Sequence, residues 1–339
     1  MAFERVLQAI DDIKNGKMIV MVDDEDRENE GDIVFAAAFS DVQKVNFMIT
    51  HARGVLCTPL SKELAAKFDL YPMVGANTSC HETAFTISID AKKATTGVSA
   101  YERDMTIKML VDSATKADDF VRPGHIFPLI AKSGGVLERT GHTEGSIDLC
   151  RLAGLAPVSV ICEIVNDDGT MARRDDLEKF CDKFNLNMVS IAEIIEYRLH
   201  HEKLISVDEL GESQIAGKKA IKYSIIDHLG NKHYAFIFGQ IASKTNVKFH
   251  KIKDDIELLN SYKFNEFLSH IELLESEGGI LIFLAGNEDD SGLIKNYGIG
   301  AQILKYFGAS DIEILSSSEF KEFVAISGFG LNILGQKSQ

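Results

Sequence analysis

Eleven consecutive residues, 22–32 (VDDEDRENEGD), carry seven carboxylates (Asp23, Asp24, Glu25, Asp26, Glu28, Glu30 and Asp32) around one arginine, Arg27. Such a run repels itself and in isolation stays unfolded. It lies, however, between KMIVMV and IVFAAAF, two apolar β-branched segments that read as buried strands, so a folded sheet must present it as a loop. One reading is a solvated hairpin tip. The other is a site for a hard divalent cation, because carboxylate oxygens suit magnesium or manganese and the cation relieves their repulsion. An EF-hand is a poor match, since its sixth-position glycine and terminal glutamate do not fall into place. If repulsion dominates, deleting a loop carboxylate such as Glu28 raises the stability of the metal-free protein.

Three further places hold reactive residue types. RTGHTE sets Arg139, Thr140, Gly141, His142 and Thr143 just ahead of a helical stretch, 143–152. A helix N-terminus offers unpaired N–H groups and a positive dipole end, so a phosphate can bind there, and His142 can ligate a metal. The plainer alternative is a helix capped by Thr143 beside a surface histidine. His125 in RPGHIFP suits either a packed loop residue or an acid–base group. Glu163 interrupts the apolar strand PVSVICEIV; it faces solvent or belongs to a site, because burying a lone carboxylate is costly.

The elements that must position these groups alternate between strands and helices. Residues 3–14 place Phe3, Val6, Leu7, Ile10 and Ile13 on one helical face. TAFTISIDA (83–91) alternates like a strand, and Ser99 with Glu102 has capping-box spacing for a helix through Met105, Leu110 and Val111. DLEKFCDKFNLNMVSIAEIIEYRLHH reads as helical. A charged stretch near residue 203 then separates 1–203 from 204–339. The second part opens with two alternating runs across DHLGNK, a hairpin signal, and continues with a helix in ELLNSYKFNEFLSHIELLE and a buried strand in GGILIFLAG.

A chain of 339 residues supports two such domains, and 45% hydrophobic with 26% charged content is globular. The formal charge of -15 argues against a nucleic-acid partner. No apolar run reaches membrane-spanning length, and the acidic, helical N-terminus does not resemble a signal peptide, so no membrane partner and a cytoplasmic location are expected. The five cysteines (Cys57, Cys80, Cys150, Cys162, Cys181) form no C-x-x-C pair, which fits a reduced compartment.

Taken together, VDDEDRENEGD, HARGVLCTPL, TAFTISIDA, TTGVSAYERDMTI, FVRPGHIFPLIAKSGGVLERTGHTEGSIDLCRLAGL and VICEIVNDDGTMAR resemble 3,4-dihydroxy-2-butanone 4-phosphate synthases, in the family's order across nearly all of residues 1–200. The resemblance implies an α+β fold, a homodimer with sites at the subunit interface, and conversion of ribulose 5-phosphate with loss of C4 as formate. It implies Mg²⁺ or Mn²⁺, up to two ions per site, held by Glu28 and His142. Arg27, Glu28, Asp32, Arg139, Thr140, Gly141, His142, Thr143 and Glu163 would bind the substrate, and His125 and Glu163 would be needed for catalysis. In TSCHETAF, Ser79 stands where the family commonly has aspartate, which puts in doubt only a role for that side chain.

The second part more weakly resembles GTP cyclohydrolase II, an α/β domain, through HYAFIFGQI, NVKFHKI, NYGIGAQILKYFGASDIEIL and ISGFGLNI. That family needs zinc held by C-x₁₀-C-x-C. Here no cysteine follows Cys181, and the glycine–arginine motif after the strand is missing too. No zinc and no cyclohydrolase activity are therefore expected. A bifunctional enzyme and a non-catalytic metal-binding or assembly protein are the alternatives to a metal-dependent lyase.

Overall fold

A computed structural model describes residues 3–25, 27–81, 83–241, 244–251, 263–285, 290–316 and 331–337. The chain forms two compact units, Met1–Tyr197 and Arg198–Gln339, against a boundary near 203 expected from charge patterning. Among the described residues no helix is long and apolar enough to cross a membrane.

The first unit contains α1 (Glu4–Lys14), β1 (Ile19–Val22), β2 (Gly31–Ala36), α2 (Val42–Phe47), β3 (Cys57–Leu60), α3 (Lys62–Lys67), β4 (Ile89–Ala91), α4 (Ala100–Val111), β5 (Phe120–Ile130), α5 (His142–Leu152), β6 (Ser159–Glu163), α6 (Arg174–Phe184), β7 (Asn187–Ser190) and, up to Tyr197, α7 (Ile191–His201). Its seven strands form one mixed sheet in the order β4-β5-β3-β6-β2-β1-β7. The face carrying Ile33, Phe35, Val160, Cys162 and Ile126 packs into a core with residues of α2 and α4. α5 covers the other face: Ser159 donates to Ser146 at 2.7 Å, and the two surfaces approach so closely that a Cβ on Gly145 would meet Met21 Sδ at 2.6 Å.

Local signals explain several elements. Ser99 accepts the Glu102 N–H at the start of α4, as its spacing predicts. α1 buries Val6, Ala9 and Ile13, while Leu7 stays 52% exposed, so the buried stripe is narrower than the apolar pattern suggests. Two expectations are corrected. TAFTISIDA is a regular strand only over Ile89–Ala91. Upstream, Thr86 donates to Pro128 and Ile130 to Ala84, but Pro128 has no N–H to return, so the ladder breaks into single bridges. Within the stretch read as wholly helical, NMVS is β7, paired in parallel with β1; four residues are too few to show a period of their own.

The second unit carries a seven-stranded sheet, with β8 (Ile205–Ile215), β9 (Lys218–Asp227), β10 (Lys232–Phe238), β11 (Lys244–Lys251), β12 (Gly279–Leu284), β13 (Asp311–Leu315) and β14 (Asn332–Lys337) ordered β14-β13-β11-β12-β10-β9-β8. β9 and β10 form the hairpin predicted across DHLGNK, with Asp227 accepting the N–H groups of Leu229 and Asn231. β12 is the buried strand expected from GGILIFLAG. The Lys263–Glu277 helix packs Phe267, Ile271 and Leu274 against Phe236, Phe238 and Leu281. Residues 252–262, which follow NVKFHKI, and 317–330, which include the start of ISGFGLNI, lie outside the described residues.

Candidate metal and substrate site

The acidic run is the connection of the β1–β2 hairpin, entered at Val22 and left at its partner Gly31. Asp23 organises it from inside: one carboxylate oxygen accepts the N–H of Glu30 at 2.9 Å, the other that of Glu28 at 3.1 Å. Arg27 bridges two carboxylates, reaching Asp23 at 2.8 Å and Glu28 at 2.7 Å. Asn29 turns the chain at φ 53°, a conformation asparagine tolerates better than most residues. The loop is thus a compact turn in which Arg27 offsets the charge of Asp23 and Glu28.

His142 opens α5 directly opposite. It is 6% exposed, so the surface histidine of the plainer reading is excluded, and the helix is capped by Gly141 without any side-chain bond. Its Nδ1 lies 3.7 Å from Glu28 Oε2 and 3.9 Å from Asp32 Oδ1. Ligand atoms of Asp23, Glu28 and His142 all fall within 4.8 Å of one another. Asp23 is already committed to two backbone N–H groups and Arg27, so we assign it to holding the loop. Asp32 Oδ1 and His142 Nε2 are buried without a hydrogen-bond partner, which buried polar atoms avoid unless something else satisfies them. Hard carboxylate oxygens and one imidazole form a donor set that fits magnesium or manganese.

The strand register extends the cluster sideways. Asp32 on β2 pairs with Glu163 on β6, and both face α5. Glu163 Oε2 accepts the N–H of Val55 at 2.7 Å, and a Cβ on Gly54 would strike that carboxylate at 2.4 Å. His125 on β5 lies two strands further along, about 10 Å from Glu163 by ordinary strand spacing. Its Nδ1 sits 2.8 Å from Asp90, which also accepts its backbone N–H at 2.9 Å. Gly97, at φ 76°, leaves room for this pair, since any Cβ there would overlap Asp90. Sequence reading missed Asp90; the pairing joins residues 35 apart and gives no local signal.

Arg139 bonds the His81 carbonyl, Thr83 and Glu144, the last at 2.6 Å, with its guanidinium lying against Gly141. The structure therefore brings together Glu28, Asp32, His142, Arg27 and Glu163. His125 lies level with Glu163 two strands away, and Arg139 is committed to protein partners. Thr140 and Gly141 precede α5, and Thr143 lies buried in its first turn.

Charge at the cluster departs from ordinary values. Burial pushes the Asp32 carboxyl up, and Glu163, Glu28 and Glu30 add to this against His142, to a pKa of about 8. Burial disfavours the His142 imidazolium, but Asp32, Glu28 and Asp23 outweigh it and raise the pKa to about 9. Burial would likewise raise Glu28, yet His142 and Arg27 hold it down at about 2. The raised pair binds more protons folded than unfolded. Its contribution to stability is present at low pH and is lost as pH rises, between 3.8 and about 8 for Asp32 and between 6.5 and about 9 for His142. The metal-free protein should therefore lose on the order of 1 kcal/mol per pH unit between pH 6.5 and 9. Added Mg²⁺ should restore more stability at the upper end, where His142 gives up its proton more readily. Melting temperatures with EDTA and with Mg²⁺ at both ends check this; a flat metal-free profile contradicts it.

Residues 7–197 match the family model described as 3,4-dihydroxy-2-butanone 4-phosphate synthase, and residues 291–338 match GTP cyclohydrolase II. A 3,4-dihydroxy-2-butanone 4-phosphate synthase from Campylobacter jejuni is 58% identical over 98% of both chains. One from Helicobacter pylori is 50% identical, again over 98% of each. The crystal structure of RibBX, a two-domain 3,4-dihydroxy-2-butanone 4-phosphate synthase from A. baumannii, is similar with a TM-score of 0.85 and 38% identity over 99% of each chain. A synthase crystallised with two magnesium ions matches 57% of this chain and 95% of its own, at 39% identity and a TM-score of 0.55. The chain therefore belongs to the 3,4-dihydroxy-2-butanone 4-phosphate synthase family, and carries behind that unit a degenerate GTP cyclohydrolase II-like part.

Proposed function

We propose that the protein converts D-ribulose 5-phosphate to L-3,4-dihydroxybutan-2-one 4-phosphate and formate in riboflavin biosynthesis. Glu28 and His142 hold one or two Mg²⁺ or Mn²⁺ ions. The observation that carries this reading is the cluster that sets ligand atoms of Asp23, Glu28 and His142 within 4.8 Å of one another, with the buried, unpartnered Asp32 Oδ1 3.9 Å from His142 Nδ1. The synthase bound to two magnesium ions supports it by likeness. A divalent cation there supplies electrophilic pull on the substrate ketone and steadies the negative charge that deprotonation leaves on its oxygens.

The chain's own groups do the rest. Asp32, buried on the same sheet face beside Glu163 and His142, is placed to exchange a proton with the substrate. Glu163, aligned by the Val55 N–H, faces the substrate from the neighbouring strand. Arg27 and the 139–143 segment, at the N-terminus of α5 that no side chain caps, hold the sugar phosphate, with Arg139 anchoring the segment through His81, Thr83 and Glu144. His125, its ring fixed by Asp90, is the second catalytic group. The family resemblance supports a homodimer with its sites at the subunit interface. The protein works in the cytoplasm without nucleic-acid or membrane partners. Residues 1–203 form the synthase domain; residues 204–339 bind no zinc, lack cyclohydrolase activity, and serve stability, dimerisation or regulation.

Purified protein given ribulose 5-phosphate and Mg²⁺ should release formate, and EDTA should stop it. GTP with added zinc should yield no pyrimidine product. Truncation after residue 203 should leave a folded, active enzyme. Absence of formate with Mg²⁺ present refutes the assignment, and GTP turnover refutes the account of the second part.

A further inference from the structure

The acidic loop is also held from outside. Arg173, just ahead of α6, donates through one terminal guanidinium nitrogen to the carbonyl oxygen of Glu28 at 2.7 Å and to that of Asn29. These contacts join residues 145 and 144 positions apart in the chain. The base of the clamp is rigid: Asp176 accepts the Arg173 N–H at 3.2 Å and the Asn166 amide at 3.2 Å. Next to it Leu177 presses on the loop's exit, where a Cβ on Gly31 would lie 2.6 Å from a Leu177 methyl. Glycine at position 31 is thus what lets α6 approach the hairpin.

We propose that Arg173 is a positioning residue for metal capture, its guanidinium clamping the Glu28 and Asn29 carbonyls so that the Glu28 carboxylate faces His142 before a cation arrives. The proposal rests on Glu28 and His142 being the metal ligands, as in the function above. Arg27 and Asp23 fix side chains and N–H groups of the turn, whereas Arg173 takes its carbonyl side. Without that restraint, neighbouring carboxylates repel the loop outward, and binding must supply the order that the clamp provides beforehand. Arg173 is exposed and its helix-starting contact to Asp176 uses backbone N–H, so Arg173→Ala retains the helix start and leaves no buried cavity.

Mn²⁺ binding to the full chain, followed by calorimetry or electron paramagnetic resonance, tests this directly. Arg173→Ala should weaken Mn²⁺ about tenfold. The Mg²⁺ concentration giving half-maximal formate release should rise in parallel, while kcat at saturating Mg²⁺ stays near the wild-type value. Arg173→Lys, which keeps donors but not the rigid fork, should recover most of the affinity. Wild-type Mn²⁺ affinity in Arg173→Ala overturns the clamp, as does a fall in kcat at saturating metal with affinity unchanged. Glu28→Gln is the control: if it binds Mn²⁺ like the wild type, the ligand assignment itself fails, whatever Arg173 does.

Discussion

Glu28→Ala should abolish measurable formate release, by at least about 10²-fold, because it removes the loop's contribution to the cation that stabilises charge on the substrate. His142→Ala should do the same from the helix side. Circular dichroism and a cooperative melt would show that both variants remain folded. Turnover at the wild-type rate in either one would remove the metal assignment. The same Glu28 variant carries a second, independent expectation about stability. Counting charges along the sequence suggests that deleting a loop carboxylate relieves repulsion, but the tertiary structure reverses the sign. Glu28 touches Arg27 at 2.7 Å and faces His142 at 3.7 Å, and these neighbours hold its pKa at about 2. A carboxylate whose folded pKa is depressed stabilises the fold above its ordinary value and loses that contribution only on acidification. Metal-free Glu28→Ala should therefore be less stable at neutral pH, by roughly 1–3 kcal/mol.

Asp32→Asn is expected to do the opposite to stability and the same to activity. Asp32 is 2% exposed, lies among Glu28, Glu30 and Glu163, and has a pKa raised to about 8. At neutral pH the fold must hold Asp32 protonated although the unfolded side chain is ionised, which costs folding energy, and asparagine keeps the shape without that cost. The metal-free variant should gain roughly 1–3 kcal/mol, read as a higher denaturant midpoint, while formate release falls by about 10²-fold or more. A variant neither more stable nor less active would show that Asp32 sits in no strained charge cluster. Loss of stability would point the same way. The two substitutions, four residues apart in one acidic run, separate a carboxylate that the fold satisfies from one it keeps unsatisfied for chemistry.

Much of this protein could be read from its residues. The two apolar runs flanking the acidic stretch became β1 and β2, Ser99 capped α4, and the DHLGNK turn joined β9 to β10. Each of these depends on contacts within a few residues, where types and spacing carry the physics. The motifs from VDDEDRENEGD to RTGHTE resembled one family, and the absence of any cysteine after Cys181 argued against a zinc site in the second part. Where the sequence misled, distant partners decided. Pro128 broke the ladder expected across TAFTISIDA, and β1 recruited NMVS as a parallel neighbour.

Residue identity and order were enough to tell which chemical groups exist and which family they belong to. Their charge states and orientations came from folding. It buried His142 against Glu28 and Asp32, tied the His125 ring to Asp90, committed Arg139 to His81 and Glu144, and laid Arg173 across the acidic turn. Proton affinity and orientation depend on burial and on opposite charges brought within about 4 Å, and those distances are set by folding, across separations that linear spacing does not encode.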